Sequence, residues 1–316
     1  MTPAKIEIKA MEKVGFGLNR PEDVVVSKEG RVWASDLESA CAEILPDGSL
    51  NRVGHAGGAP NGINMDTEGR IVIANYGVFV GEPGPLQRLD VETGEVEVIC
   101  AEVEGETLSA CNYPVIDSQG NIWCTHSTWA QPWPKALDGR ADGFVFKVTP
   151  QGEAFKAAEG IKFANGCCLD AKEKYLYVNQ TSGGNVLRFE ILADGSLGPA
   201  QDYGPMLGII PSGPVSRDKP PTPAEMADWA YTDGNGFDVE GNLWVTLPSA
   251  NKLVAITPGL EVFTVAHDPT GEVLRDPTNV TWGGDDMRDL YIGSLRTDYV
   301  LKARSPIPGL RMVHQR

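Results

Sequence analysis

Side chains with oxygen donors occur at five widely spaced positions, and each precedes or begins a short apolar segment: Glu22, Asn61, Asn112, Asn165 and Asp233. The set contains two carboxylates and three amides, with no imidazole or thiolate. Such oxygen atoms suit a hard cation, with Ca²⁺ favoured and Mg²⁺, Mn²⁺ or Zn²⁺ as alternatives. If the fold brings these positions together, they can bind one divalent metal ion.

A repeated sequence pattern surrounds these positions. The five residues occupy the same place in successive repeats, and Pro277 takes this place in the sixth. A second strand-like segment follows each repeat, and in most units a tight turn then joins a third and a fourth segment. The six repeats are "PEDVVVSKEG" from Pro21, "PNGINMDTEG" from Pro60, "CNYPVIDSQG" from Cys111, "ANGCCLDAKE" from Ala164, "TDGNGFDVEG" from Thr232 and "DPTNVTWGGD" from Asp276.

The spacing of the repeats predicts the fold. Successive shared positions are 39, 51, 53, 68 and 44 residues apart, close to the roughly 40 to 50 residues of a propeller blade, with insertions in the longer units. The sequence therefore predicts an all-β protein, a six-bladed β-propeller of four-stranded blades in a single domain over residues 1–316. The N-terminal segment "AKIEIKAMEKV" is expected to join the last blade and close the ring.

The predicted propeller explains how the oxygen donors would converge. The first strand of each blade lines the central channel, so equivalent residues at the start of these strands meet around the axis. A turn-forming asparagine accounts for Asn61 by itself. It does not account for Glu22 and Asp233 at the same position of the repeat, which favours a metal-binding ring.

These residues also carry a family resemblance over the whole chain. The segments "RPEDVVVSKEGRVWASD", "ANG" at 164–166, "DGNGFDVEGNLWVT" and "DPTNVTWGGDDMRDLYIGS" resemble the senescence marker protein/gluconolactonase family, which includes regucalcin and, more distantly, squid-type diisopropyl fluorophosphatase. The resemblance implies that Glu22, Asn165 and Asp233 bind one divalent metal ion, with Asn112 as a fourth ligand or a substrate contact. It implies Asp233 as general base or nucleophile. Asn61 has no firm family role and is expected to contact water or substrate.

The resemblance and the donor ring together predict an enzyme. A metal ion at the channel mouth can polarise the carbonyl of a cyclic ester, so the first prediction is a metal-dependent lactonase that opens a sugar aldonolactone or a related lactone to the hydroxy acid. One alternative is a phosphotriesterase-like hydrolase on the same site. The other is a non-enzymatic propeller that binds calcium or a protein partner.

Three segments exceed a minimal blade, at about 77–85, 127–143 and 202–231. Each follows a second or a fourth strand, so all three are expected on the face of the metal ring, as a lid that carries Trp129, Trp133 and Trp229. Surface decoration is the alternative. His126 closes the second strand of the third unit on the same face. It is predicted to contact substrate or move a proton, with a hydrogen-bonded rim histidine as the alternative.

Composition limits the partners. With 27 basic and 43 acidic residues the net charge is −16, which disfavours nucleic acid and anionic membranes but allows small neutral molecules and cations. The chain shows no secretory signal and no apolar run of about 18 residues. Its six cysteines form no Cys-x-x-Cys pair. A cytoplasmic protein with reduced thiols and a small-molecule lactone substrate is expected, and the oligomeric state stays open.

Overall fold

The chain forms a ring of six four-stranded antiparallel sheets with very little helix. A computed structural model describes residues 4–211 and 221–316. Within five of the sheets the strands follow one another in chain order, and in the sixth the outer strand comes from the N-terminal segment. The first strands of neighbouring sheets contact each other around the axis. This is the predicted six-bladed β-propeller.

The blades fall on the six repeats. A short strand, β1 (Glu12–Val14), precedes them. Blade 1 comprises β2 (Val24–Val26), β3 (Val32–Ser35), β4 (Cys41–Ile44) and β5 (Leu50–Val53), and blade 2 comprises β6 (Pro60–Met65), β7 (Ile71–Asn75), β8 (Leu86–Leu89) and β9 (Val96–Cys100). A small hairpin follows, formed by β10 (Glu102–Val103) and β11 (Glu106–Thr107). Blade 3 comprises β12 (Cys111–Ile116), β13 (Ile122–His126), β14 (Gly143–Val148) and β15 (Ala154–Ile161).

The second half of the ring repeats the plan. Its strands are β16 (Ala164–Leu169), β17 (Tyr175–Gln180), β18 (Asn185–Glu190) and β19 (Gln201–Tyr203) in blade 4; β20 (Asn235–Phe237), β21 (Leu243–Leu247), β22 (Lys252–Ile256) and β23 (Val262–His267) in blade 5; and β24 (Pro277–Gly283), β25 (Asp289–Ser294) and β26 (Val300–Arg304) in blade 6.

In the described ranges, helical structure is limited to short pieces in the connections and the terminal segments. The single α-helix in the described part of the chain, α1 (Pro223–Met226), starts at Thr222, whose hydroxyl accepts from the Glu225 N–H at 3.3 Å. No helix in the described ranges is long and apolar enough to span a membrane. Short 3₁₀ segments lie at Ile8–Ala10, Gly77–Phe79, Trp133–Asp138, Pro248–Ala250 and Val313–Gln315.

The N-terminal segment closes the ring as predicted. β1 pairs antiparallel with β26, with Glu12 opposite Lys302 and Val14 opposite Val300, and so becomes the outer strand of blade 6. The strand is shorter than the predicted segment. The residues before it form a 3₁₀ turn, and the Ile6 N–H donates to the Val265 carbonyl of blade 5 at 2.8 Å.

A side-chain network in the turn fixes the first hairpin of two blades. In blade 3, the Asp117 carboxylate accepts from the backbone N–H of Asn121 at 2.9 Å and from Trp123 Nε1 at 3.0 Å. Asp238 accepts from Trp244 Nε1 at 2.9 Å in the same way in blade 5. Both tryptophans are fully buried against the next blade. The turn thus helps to set the register between the first two strands of the blade, and this register determines which residue lies at the channel mouth.

The C-terminal segment covers the other end of the channel. Gln315 Nε2 donates to the carbonyls of Val26 at 3.0 Å and Trp282 at 2.9 Å, and the Leu310 N–H donates to the Phe237 carbonyl at 2.9 Å. These three carbonyls lie at or near the ends of first strands. The strand starts, where the oxygen donors lie, are therefore at the opposite face.

Candidate metal centre and active site

The five predicted oxygen donors meet at one cavity of about 360 Å³ at the channel mouth. Glu22, Asn61, Asn112, Asn165 and Asp233 all line it. Glu22 and Asp233 lie just before β2 and β20, whereas each asparagine is the second residue of its strand. Residues separated by 211 positions in the sequence thus face a common space.

A β-bulge carries each of the three asparagines. The pairing of the first two strands of the blade shifts between Pro60 and Ile63, between Cys111 and Pro114, and between Ala164 and Cys167. Each shift contains one of the asparagines, so it breaks the alternation of an ordinary strand. Bulges change the direction of a side chain, and these three accompany asparagines that line the cavity.

Glycine follows the donors where the first strands approach one another most closely. A Cβ added to Gly166 would lie 2.6 Å from Gly234 Cα and 2.7 Å from the Asp233 carbonyl. A Cβ on Gly234 would lie 2.5 Å from the Thr278 carbonyl. A larger residue would push the blades apart. The Asn-Gly and Asp-Gly pairs therefore have a packing reason as well as a chemical one.

Two buried carboxylates dominate the electrostatics of the cavity. Glu22 is 5% exposed and Asp233 is 8% exposed. Burial raises the pKa of both side chains, and the charge of Glu22 raises the pKa of Asp233 further. Arg20 lowers both pKa values, and a hydrogen bond from Asn165 also lowers that of Asp233. Arg20 alone does not balance these two anions, because Arg296, the other described arginine that lines the cavity, pairs with Asp276 at 3.4 Å, so the site favours an added cation.

The chemistry of the donors fits a divalent ion. Glu22 Oε2 is buried without a hydrogen bond in the described residues, and its ion-pair contact, Arg20 Nη2 at 3.2 Å, is not aligned for one. Asn165 Nδ2 donates to Thr181 Oγ1 at 3.0 Å, and the Asn112 side chain makes no hydrogen bond within the described chain, so each has a carbonyl oxygen for a ligand. No group of three or more His, Cys, Asp or Glu residues in 4–211 and 221–316 is placed to hold a metal ion by itself. A metal here would need the amides, which suits an oxygen-binding ion.

Asn61 also lines the cavity, but both ends of its amide are engaged. Its Oδ1 accepts from Arg20 Nη2 at 2.8 Å, and its Nδ2 donates to the Asn112 carbonyl at 3.1 Å. Asn61 therefore links the segment before blade 1 to blade 3. This arrangement positions two neighbours of the cavity and leaves little of the Asn61 side chain for a ligand.

Arg20 is a cavity residue that the sequence did not single out. Its Nη2 lies 3.2 Å from Glu22 Oε2, and its guanidinium lies 4.8 Å from the centre of the Phe79 ring. The Arg20 backbone is left-handed, with φ of 55°. The only signal was a basic residue two positions before Glu22, and no spacing rule predicts where such a side chain points.

Each of the three insertions contributes an aromatic side chain to the wall of the cavity, namely Phe79, Trp133 and Tyr231. Of the three tryptophans predicted for a lid, Trp133 alone lines it among the described residues. Trp229 packs against Tyr231 with ring centres 5.9 Å apart and lines a neighbouring groove instead. Residues 212–220 of the third insertion lie outside the described residues, and the lid stays a prediction.

The structure does not place His126 at the cavity, contrary to the prediction of a substrate contact. The ring is buried between Trp129 and Phe144, with centres 4.1 Å and 4.6 Å apart. His126 Nε2 accepts from the Ala110 N–H at 3.1 Å. Burial lowers the pKa of His126 to about 3, so the ring stays neutral. The aromatic residues of the insertion and of β14 enclose it, and the alternative of a hydrogen-bonded structural histidine describes it better.

Known proteins share this fold and sequence pattern. The profile of the SMP-30/gluconolactonase/LRE-like region matches residues 55–296. The chain belongs to this family. A 6-deoxy-6-sulfogluconolactonase of Pseudomonas putida is 25% identical over 257 residues, which are 81% of this chain and 78% of that protein. The family predicted from the sequence is confirmed.

Solved structures agree in fold. A gluconolactonase from Xanthomonas campestris superimposes with a TM-score of 0.69 at 18% identity, over 98% of this chain and 95% of that one. Regucalcin from Agrobacterium tumefaciens, described as a calcium-binding protein, gives a TM-score of 0.66 at 15% identity over 95% of both chains. At these identities the likeness concerns the propeller itself.

Proposed function

We propose that this member of the SMP-30/gluconolactonase family is a divalent-metal-dependent hydrolase that opens a lactone, a sugar aldonolactone or related cyclic ester, to the hydroxy acid. The observation that carries the proposal is the meeting of Glu22, Asn112, Asn165 and Asp233 at one cavity. A relative named for sulfogluconolactone hydrolysis and a fold neighbour named for gluconolactone hydrolysis support the substrate class.

The proposed metal ligands are Glu22, Asn165 and Asp233, with Asn112 as a fourth ligand or a substrate contact. Two carboxylates and two amide oxygens suit Ca²⁺ best. The calcium-binding fold neighbour supports this choice. When bound, the ion supplies a Lewis acid that polarises the lactone carbonyl and stabilises the negative charge that develops on its oxygen.

Asp233 is the proposed general base. Its carboxylate lines the cavity, where it can take a proton from a water molecule as the water oxygen attacks the carbonyl carbon. The ring C–O bond then breaks, and the proton passes from Asp233 to the departing ring oxygen. The reaction consumes one water molecule and yields a single hydroxy acid, which carries the new carboxylic acid and the new alcohol.

The remaining walls suit a sugar ring. The unpaired amide of Asn112 can contact a hydroxyl or carbonyl oxygen of the substrate. Phe79, Trp133 and Tyr231 offer apolar faces to the C–H side of the ring. Asn61 acts by holding Arg20 and Asn112 in place. His126 has no part in the proposed mechanism, because it lies outside the cavity.

A panel assay tests the proposal. Release of acid from several aldonolactones and turnover of one phosphotriester would be measured on chelator-stripped protein with and without Ca²⁺. Lactones open spontaneously, so the double variant Glu22→Gln/Asp233→Asn provides the background rate. Calcium-dependent lactone opening above this background is expected. Turnover of the phosphotriester alone, or calcium binding without any turnover, would contradict the proposal.

A further inference from the structure

We propose that Arg20 binds an anionic group of the substrate, so that the preferred lactone carries a carboxylate or sulfonate in addition to the ring ester. The inference rests on the proposed lactonase function and concerns its specificity. Arg20 would then be a substrate-binding residue beside the metal ligands. It was not among the predicted oxygen donors.

The position of Arg20 is built by several independent contacts. Asn61 Oδ1 accepts from Nη2 at 2.8 Å, and Glu22 Oε2 lies 3.2 Å from the same nitrogen. The Phe79 ring covers the guanidinium at 4.8 Å. The side chain is only 9% exposed, so it is held at the cavity wall and does not extend into solvent. Its left-handed backbone, with φ of 55°, is a costly conformation for arginine.

The guanidinium retains unused donors. An arginine has five N–H groups, but in the described structure Arg20 makes two hydrogen bonds, the one to Asn61 and a long one of 3.4 Å to the Pro60 carbonyl. Nε has no hydrogen bond among the described residues. Since Arg20 lines the cavity, a ligand there can use the free donors. Nη2 faces Asn61 and Glu22, so the free donors are the N–H of Nε and one N–H of Nη1. Each can donate to an oxygen of a carboxylate or sulfonate, and the charge of the guanidinium attracts such a group.

The charge of the cavity is consistent with binding of an anionic group. Among the described residues, Arg20 and Arg296 are the cations that line it and Glu22 and Asp233 are the anions, which balance formally. A bound divalent ion therefore leaves a positive cavity, even after counting Asp276, which pairs with Arg296 at 3.4 Å. The protein as a whole carries −16 and would repel an anion. Two arginines at this cavity would offset that repulsion locally.

Asp23 forms no ion pair with Arg20 among the described residues. Its carboxylate lies within the channel and accepts from the N–H of Val24 and of Ile63, each at 2.7 Å, and from the Asn279 side chain. These donors already occupy the carboxylate. A simple counter-ion role for Arg20 toward Glu22 is the competing explanation, and it predicts no preference among substrates.

A matched pair of lactones separates the two explanations. D-galactaro-1,4-lactone and D-galactono-1,4-lactone share the ring and its stereochemistry, and differ in a carboxylate in place of a hydroxymethyl group. We expect the calcium-loaded protein to have a higher kcat/KM for the galactarolactone. Arg20→Gln should lower the ratio of the two kcat/KM values on the order of tenfold. Arg20→Lys should recover part of the ratio, because it keeps the charge and loses the planar arrangement of donors.

The control variant is Arg140→Gln, which removes the same charge from an exposed ion pair with Asp138 within one insertion. It should leave the ratio unchanged. Calorimetry supplies a readout that needs no turnover: galactarate should bind the calcium-loaded protein more tightly than galactonate, and Arg20→Gln should abolish the difference.

The outcomes distinguish the two proposals. If no lactone is hydrolysed but galactarate binds preferentially through Arg20, the proposed function fails and the anion site stands. If both lactones are hydrolysed with a ratio that Arg20→Gln does not alter, and calorimetry shows no preference for galactarate, the inference about Arg20 is wrong while the proposed function stands. Tighter calcium binding by Arg20→Gln without a change in either preference would identify a counter-ion only.

Discussion

Asn61 Nδ2 donates a hydrogen bond to the backbone carbonyl of Asn112 at 3.1 Å. A residue of blade 2 thus helps to position a candidate ligand in blade 3. Because its Oδ1 also accepts from Arg20, Asn61 connects both candidate binding residues. We expect Asn61→Ala to destabilise the protein by about 1–3 kcal/mol through the loss of these buried hydrogen bonds. It should also raise KM more than it lowers kcat.

Denaturant unfolding and steady-state kinetics would measure the two effects of Asn61→Ala. The matched control is Asn64→Ala in the same strand, since Asn64 Nδ2 donates to the Pro114 carbonyl of the same neighbouring blade at 3.2 Å. That control should be destabilised without a comparable rise in KM. Equal kinetic effects in both variants would show that Asn61 acts only through general packing.

Glu22→Gln should weaken Ca²⁺ binding by on the order of a hundredfold or more, because it removes one of the two formal negative charges that line the candidate centre. Titration calorimetry on chelator-stripped protein would measure the affinity. Glu43→Gln is the control, since Glu43 pairs with Arg31 at 2.7 Å on the outer part of blade 1. An unchanged affinity in Glu22→Gln and in Asp233→Asn would exclude this ring as the metal site.

Asp233→Asn separates metal binding from proton transfer. With Ca²⁺ raised until binding is saturated, the variant should still lose on the order of a hundredfold or more in kcat, because an amide does not accept the proton of water. Stopped-flow or pH-indicator kinetics would follow lactone opening at several calcium concentrations. Recovery of near wild-type turnover at saturating calcium would mean that the base is another group.

Asn112→Ala should behave differently from Asp233→Asn. No proton passes through an amide, so the variant should raise KM or weaken calcium affinity several-fold while measurable turnover remains. Kinetics and calorimetry on the same preparation would show which of the two changes, and so whether Asn112 serves the substrate or the metal. Complete loss of turnover at saturating calcium and substrate would assign it a more direct chemical role.

The stability of the protein should fall in mild acid because of His126. Its pKa is about 3 in the folded chain, below the ordinary value of 6.5, owing to burial. Between these values the unfolded chain binds a proton that the folded chain does not. The contribution is fully favourable above pH 6.5 and is lost as the pH falls toward 3, at about 1.4 kcal/mol per pH unit.

His126→Asn keeps an acceptor for the Ala110 N–H and removes the titrating ring. We expect urea unfolding from pH 7 to pH 5 to show a smaller loss of stability in this variant than in the wild type. A residual slope should remain, because burial also lowers the pKa of His314. His55→Asn, at an exposed position, is the control, and an identical slope in His126→Asn and the wild type would refute the assignment.

The sequence alone determined the propeller and the membership of the donor ring. Strand alternation and turn residues are local properties, and their repetition at intervals of 39 to 68 residues specified six similar units. The rotational symmetry of the ring then places equivalent positions of the units around one axis. This is why Glu22 and Asp233 could be assigned to one cavity without any information on contacts between them.

Tertiary structure decided where the individual side chains point. The left-handed backbone of Arg20 and the ring of Phe79, from a different blade, hold the guanidinium at the cavity wall. His126 lies at the end of its strand on the predicted face, but its ring is enclosed by Trp129 and Phe144. Gln315 closes the far end of the channel through carbonyls of blades 1 and 6. Such contacts join residues from non-equivalent segments, so neither a local pattern nor the symmetry of the repeat contains them.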